Sequence, residues 1–410
     1  MTQACCDQAP KNSLKNLDQA LAELINKCKI QPLIEDIPLV QALNRVLAED
    51  IFATVNVPPE DNSAVDGYAL WLDDLTRNNT LRISQRIPAG HAPEKLEPGT
   101  AARIFTGANI PPGANCVVMQ ETTSLSEDQQ WVTISGPAER NQNIRPQGQD
   151  IQSGALILSK GLKLTPQRIG LIASTGIARL NVYKALKVAI FSTGDEIVEP
   201  GTALKTGQIY NSNRYLLDSF LRSLGMQVYD LGRIQDKLEN TLNALQTASR
   251  SADVVITTGG ASVGEEDYVH TAIRELGQID FWKVAVKPGK PVMLGEINKT
   301  PILGLPGNPG AVFVTFMILA RPFLMHMQGY NCIQTKPYKL PINFSIKKAG
   351  IRREFLRVIR NDENQLELHP NQSSGMLSSA SWADGLAIIM ENTAPQKGEL
   401  VDYLPFDSLL

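Results

Sequence analysis

Between residues 185 and 324 short apolar runs alternate with amphipathic stretches, and this alternation constrains the chain more than any other feature. Strand-like runs at 186–191, 227–231 and 253–258 are followed by helix-like segments at 213–224, 236–250 and 267–276. The pattern predicts a doubly wound α/β fold. The helix signals are physical ones. Leu216, Leu217, Phe220, Leu221 and Leu224 form one stripe that stops at Gly225, and Asp236 and Glu239 have capping-box spacing. In such sheets ligands sit outside the carboxyl ends of the strands. Acids follow each strand-like run: Asp195 and Glu196 in STGDE (192–196), then Asp236, then Glu265, Glu266 and Asp267 in TTGGASVGEED (257–267). One crevice is expected to collect them. Gly259, Gly260 and Gly264 allow close backbone approach and N–H groups that cradle an anion, and a phosphate beside carboxylates calls for Mg2+.

Positive charge comes from FWKVAVKPGKP (281–291). Read as a strand, it puts Lys283, Ala285 and Lys287 on one face, with Lys290 beside them after the Pro288–Gly289 turn, and gives the other face a core-like character. Edge-strand lysines that keep a sheet soluble are the plainer explanation. GLPGNPG (304–310) follows a strand-like run at 301–305 and opens an apolar helix at 311–320 that Arg321 and Pro322 are expected to close; its amides suit an anion, although a tight turn would need the same residues. Singly, Asp236 and Asp267 read equally well as helix caps. Three acidic strand ends with a glycine loop among them are harder to explain that way.

The rest of the chain divides around this unit. A helix at 17–28 presents Leu17, Leu21, Leu24 and Cys28 on one face; short β-rich runs at 80–84, 116–119 and 131–134 predict a small β domain; and Thr165 with Pro166 opens a helix that ends near Gly176 and is expected to pack back on the first one. Beyond 328 the runs at 339–344, 356–359, 366–369, 386–390 and 400–403 predict a final small β barrel. At 410 residues, 43% hydrophobic and 20% charged with a formal charge of −3, the composition argues for a soluble multidomain protein and against a general nucleic-acid binder. No apolar run reaches the ~20 residues of a membrane span, and no signal segment opens the chain, so a cytoplasmic setting is expected. Five scattered cysteines and four histidines show no metal-ligand or disulfide spacing.

DNSAVDGYA (61–69), IFTG (104–107), FSTGDE (191–196), GGASVGEED (259–267), VKPGKP (286–291) and GLPGNP (304–309) together closely resemble the molybdopterin molybdenumtransferase (MoeA) family over about residues 15 to 405. Animal gephyrin and a plant protein carry the same kind of unit as their E domains. The resemblance implies an L-shaped homodimer of four-part chains: a discontinuous N-terminal, dimerisation unit (10–55 and 150–185), an inserted β domain (56–149), the α/β catalytic unit (186–327) and a C-terminal β barrel (328–410). It implies that adenylylated molybdopterin and molybdate are substrates, that Mg2+-dependent hydrolysis releases AMP, and that molybdenum is placed on the dithiolene. It carries over catalytic roles to Asp66, Thr106, Asp150, Glu196, Asp236, Asp267, Lys283 and Lys287, metal ligation to Glu196, Asp236 and Asp267, and substrate contacts to Gly259, Gly260, Ser262, Gly264, Lys290, Pro291, Asn308, Arg357 and Ser374. Molybdate is expected near Lys287, Lys290, Pro291, Arg357 and Ser374. One departure stands out: where the family has a serine after the Gly-Asn-Pro turn, this chain has Gly310 and Ala311. A hydroxyl contact to molybdate is then absent or replaced by backbone N–H groups.

The resemblance also implies active sites shared between protomers and hand-over of substrate from the adenylyltransferase of the same pathway, with no nucleic-acid or membrane partner. Three alternatives stay open on sequence: that adenylyltransferase itself, a non-catalytic scaffold such as gephyrin is at synapses, and a nucleotide-hydrolysing protein of the competence-damage type. The extra domains and the Asp66 loop argue against the first. The intact acids and lysines argue against the second.

Overall fold

The computed structural model describes residues 14–27, 32–259 and 268–409. Its centre is a six-stranded sheet in the order Gln227–Ile234, Lys187–Thr193, Val254–Thr258, Thr300–Leu305, Pro291–Ile297, Gln278–Lys283. The first four strands are parallel, Pro291–Ile297 runs against them, and Gln278–Lys283 pairs antiparallel with Pro291–Ile297. Side chains alternate with period two, and each face of the sheet has its own core. Val188, Ile190, Val254, Ile256, Leu303 and Leu305 pack under the helices Leu17–Lys27, Ser212–Ser223 and Pro309–Thr315. Ala189, Phe191, Val255 and Ile302 pack under Leu238–Ser251 and Tyr268–Leu276. The doubly wound expectation is met. Thr193 pairs with Ile234, Ser192 with Thr258, and Thr258 with Leu305, so four parallel strands end along one edge.

Ile34–Pro38 pairs antiparallel with Arg179–Tyr183, and Ile51–Phe52 pairs with Leu156–Leu158, so the chain leaves this N-terminal unit and later returns to it. The intervening residues form the inserted β unit, a six-stranded sheet running from Cys116–Met119 through Gly67–Leu70, Thr100–Ile104, Thr80–Ile87 and Trp131–Ile134 to Thr123–Leu125. Five C-terminal segments together with Val286–Lys287 make another six-stranded sheet, a half-barrel built on Arg353–Arg360, Gly385–Ile389 and Leu400–Pro405.

Four local expectations are corrected. The helix Pro166–Ser174 packs in the N-terminal unit with Ile37, Leu47 and Leu180, not on Leu17–Lys27. The first helix instead presents Leu17, Ala20 and Leu24 to the core of the central sheet, and its Asp18 carboxylate is gripped by Arg353 at 2.8 and 3.0 Å. The helix expected from 236 begins at Leu238, with Lys237 extended at the cap position, because the Lys237 N–H turns back onto the Gln235 carbonyl at 2.7 Å and leaves Asp236 one residue too early to cap. The apolar helix does not stop at Arg321–Pro322. A π-helical segment, Phe316–Ala320, precedes Pro322, where the chain lacks an N–H to donate, and the helix continues to Met327. At 19 residues it has the length and composition of a membrane span, but 94% of its most apolar window is buried inside the fold, as in a core helix.

The fourth correction concerns the lysine segment. Residues 281–287 are not one strand: Gln278–Lys283 belongs to the central sheet, whereas Val286–Lys287 pairs in parallel with Arg353 and Glu354 of the half-barrel. Val284 and Val286 are fully buried in the central core and draw the chain inward between the two sheets. The burial of Val284 and Val286 was legible; the common lysine face does not exist.

Candidate functional site

The sheet edge opens into a cavity of about 660 Å³ walled by both the central unit and the half-barrel. Its floor is a polar lattice at the strand ends. The Ser192 and Thr258 hydroxyls lie 2.9 Å apart, and the Ser192 hydroxyl also donates to Asn211 Oδ1 at 3.4 Å. Asn211 Oδ1 caps the helix Ser212–Ser223 by accepting from the Arg214 N–H. Asn213 Nδ2 donates to the Gly307 carbonyl at 2.7 Å and so ties that helix to the turn before Pro309.

Gly259 sits at the end of Val254–Thr258 with φ +84°, and a Cβ there would lie 2.6 Å from the Thr193 carbonyl oxygen. Both the backbone conformation and the neighbouring strand require glycine. Gly260, Ser262, Gly264 and Asp267, with Glu265 and Glu266, lie outside the described residues. Glu196 lines the cavity from the turn after Lys187–Thr193. Asp236, two residues beyond the adjacent strand end at Ile234, does not line it, and Asp195 points to Arg233 at 3.0 Å.

The opposite wall carries cations. Lys287 and Lys290 line it with Pro291 and Arg352, but Lys283 does not, so two of the three lysines converge. Gly289 has φ +108° and a Cβ there would meet the Thr315 methyl at 2.2 Å, which lets the lysine turn press onto the long helix. Lys287 is paired with Glu354 at 2.6 Å. Asn308, at the start of the helix, donates through Nδ2 to the Ser374 hydroxyl at 3.0 Å, and both residues line the cavity. Gly310 presses against the same loop: a Cβ there would come 2.8 Å from the Ser374 carbonyl oxygen. The Ala311 methyl is buried, and its N–H donates to the carbonyls of Asn308 and Ser374, so that amide is already engaged within the protein.

Arg357 stands behind the wall. It is wholly buried, its Nε bonds the Ser379 hydroxyl at 3.1 Å, its Nη2 bonds the Ser373 carbonyl at 3.1 Å, and its Nη1 has no hydrogen-bond partner among the described residues. Burial pushes its pKa down, while the Glu354 carboxylate works the other way. Its backbone also binds Gln372, so Arg357 shapes the loop 372–374 that forms the cavity wall.

Asp66, Thr106 and Asp150 lie elsewhere, in and beside the inserted β unit, and none lines this cavity. Thr106 donates its N–H and its hydroxyl to Asp66, and these bonds, with Arg103 nearby, hold the Asp66 carboxyl below the usual carboxylate range. Asp150 is exposed where its N–H meets the Val57 carbonyl at 2.9 Å. Sequence reasoning missed Arg352, Glu354, Asn211 and Asn213. The Asn-Ser-Asn turn at 211–213 carried a readable cap signal; Arg352 and Glu354 carried none, because their place depends on the strand crossing between sheets.

The same three blocks appear when the chain is compared with known proteins. The MoeA N-terminal region (domain I and II) matches residues 15–176, the "Probable molybdopterin binding domain" matches 189–326, and the MoeA C-terminal region (domain IV) matches 339–406. Molybdopterin molybdenumtransferase of Haemophilus influenzae is 40% identical, covering 96% of this chain and 99% of its own length. Molybdopterin molybdenumtransferase 2 of Mycobacterium tuberculosis is 35% identical over 85% of this chain and 87% of its own. A crystal structure of the molybdopterin biosynthesis MoeA protein from Pyrococcus horikoshii superposes with a TM-score of 0.80 at 32% identity, covering 96% of this chain and 99% of that one. Matched in order along nearly its whole length, the chain belongs to the molybdopterin molybdenumtransferase family, enzymes of molybdenum cofactor biosynthesis.

Proposed function

We propose that the cavity hydrolyses adenylylated molybdopterin in the presence of molybdate, releasing AMP and leaving molybdenum on the dithiolene. One observation carries the reading: a single cavity joins a strand-end floor bearing Glu196 and Gly259 to a wall bearing Lys287, Lys290 and Ser374. Molybdate is a tetrahedral dianion and belongs at the cationic wall, where ammonium groups, the Ser374 hydroxyl and the turn at Asn308 surround it. The phosphoanhydride belongs over the strand ends. Chemistry of this kind needs positioning and charge neutralisation rather than a covalent nucleophile.

Magnesium fits this floor as an ion held by few protein groups. Among the described residues no three acids, histidines or cysteines meet, and of them Glu196 alone brings a carboxylate into the cavity. An ion that takes one or two carboxylates and completes its shell with phosphate oxygens and water asks for little more than Glu196; Asp236, which does not line the cavity, and Asp267, outside the described residues, are assigned with it on the family resemblance alone. When bound, Mg2+ supplies charge for the phosphoanhydride oxygens. Lys287 and Lys290 hold the oxyanion, and the Ser192–Asn211–Thr258 lattice keeps the floor rigid.

We further propose a homodimer in which Asp66, Thr106 and Asp150 of one chain complete the cavity of the other. Exposed apolar residues crowd the N-terminal unit, with Val40 at 87% and Leu33 at 71% exposure beside Ile34, Leu43, Phe52 and Val55, and a second copy would cover them. Incubation with adenylylated molybdopterin and molybdate tests the reaction. Molybdate-dependent AMP release is expected; attachment of AMP to molybdopterin, or inertness, rejects it.

A further inference from the structure

One carboxylate is paired with the cationic wall without lining the cavity, and the reaction described above does not use it. Glu354 is the direct cross-strand partner of Lys287 where Val286–Lys287 runs beside Arg353–Arg360. Its Oε1 is 2.6 Å from the Lys287 ammonium, and its side chain is the more enclosed of the two, 21% exposed against 54% for the lysine. The same carboxylate supports the charge of buried Arg357 three residues along the strand. For an oxyanion site this is the wrong sign: a fixed negative charge beside the binding groups repels the ligand they are meant to hold. A lysine this exposed also needs no partner to stay soluble.

We propose that Glu354 is a positioning residue that holds the Lys287 ammonium in the empty cavity and competes with an arriving oxyanion for it. The inference rests on the reading of this wall as the molybdate end. Lys290 and Arg352 line the cavity without an ion-pair partner among the described residues, so they make the first contact. Lys287 then joins only if the ligand outbids Glu354. A dianion gains twice the Coulomb energy of a monoanion from the same ammonium at the same distance. Chloride, an abundant monoanion, gains too little from the ammonium to displace Glu354, whereas molybdate gains more, offset in part by its stronger repulsion from the displaced carboxylate.

The test is calorimetric titration of the substrate-free protein with molybdate, at constant ionic strength, with and without chloride. Glu354→Gln keeps the shape of the side chain and is expected to tighten molybdate binding about two- to tenfold and to make that binding more sensitive to chloride. In a Lys287→Met background the same change is expected to give a smaller gain, since it acts through the lysine. Weaker or unchanged molybdate binding in Glu354→Gln, or a gain equally large without Lys287, overturns the inference. The two readings fail separately. If wild-type protein does not bind molybdate, or Lys287→Met binds it as well as wild type, the oxyanion wall itself is wrong. If those controls behave and Glu354→Gln does not tighten binding, only the role of Glu354 falls.

Discussion

Asp66 accepts two hydrogen bonds from Thr106, one from the N–H and one from the hydroxyl, each 2.8 Å long. Because both favour the charged carboxylate, Asp66 ionises below its ordinary 3.8. The sign follows directly. The stabilisation is complete above 3.8 and is lost as the pH falls through the lowered folded value. Thr106→Val removes the hydroxyl and keeps the N–H, so the Asp66 pKa should rise part of the way to 3.8. Carboxyl NMR titration measures it, and an unmoved titration would show that the hydroxyl is not a donor to Asp66.

Gly259→Ala should cost about 1–3 kcal/mol of stability and most of the activity, since the residue has φ +84° and the new methyl would meet the Thr193 carbonyl at 2.6 Å. Urea denaturation gives the first quantity and AMP release the second. A fully stable Gly259→Ala would mean that the strand ends have room to separate.

Arg357→Lys retains charge but cannot make both the Ser379 and Ser373 bonds of the guanidinium. It should destabilise the fold by about 1–3 kcal/mol and raise the molybdate concentration needed for half-maximal AMP release, with little change in the dependence on adenylylated molybdopterin. Equal changes in both dependences would argue that Arg357 serves the whole cavity rather than the loop around Ser374.

Ala311→Ser restores a hydroxyl at a position that already borders the cavity. The expected result is a lower half-saturation by molybdate at unchanged maximal rate. Since the Ala311 N–H is committed to Asn308 and Ser374, no backbone donor at this residue substitutes for the hydroxyl beforehand. If the variant needs more molybdate, the anion does not approach this turn.

Asp66 and Glu196 lie in different units, and only Glu196 lines the cavity of its own chain. Refolding Asp66→Asn chains together with Glu196→Gln chains should therefore recover activity, because in a shared-site heterodimer one site carries both lesions and the other carries none. Differential tags establish that heterodimers form. If confirmed heterodimers stay as inactive as both parents, each site is built within one chain.

The strand–helix alternation made the central sheet legible, because period-two and period-3.6 burial leave direct marks on residues such as Val188, Ala189, Leu217 and Leu221. The crevice at the strand ends was legible for the same reason. Less legible was what depends on two distant segments meeting. Nothing local distinguishes the first helix packing on the central core from its packing on Pro166–Ser174; the choice depends partly on Asp18 meeting Arg353, 335 positions away. The lysine segment misled because its alternation fits a strand, while the buried Val284 and Val286 pull it from one sheet into another. The pairing of Lys287 with Glu354 follows from that crossing and was hidden with it.

The crossing has a consequence for how the chain tolerates change in length. Lys283 is registered in the central sheet against Pro291, and Val286 in the half-barrel against Arg353, with only two residues between them. Side chains on a strand alternate, so adding or removing one residue in this tie would turn Lys287 away from the cavity or pull Val286 out of the core. Substitutions there are graded in their effect. A change of length is all or nothing, and the two-residue span acts as a ruler that sets which charges face the ligand.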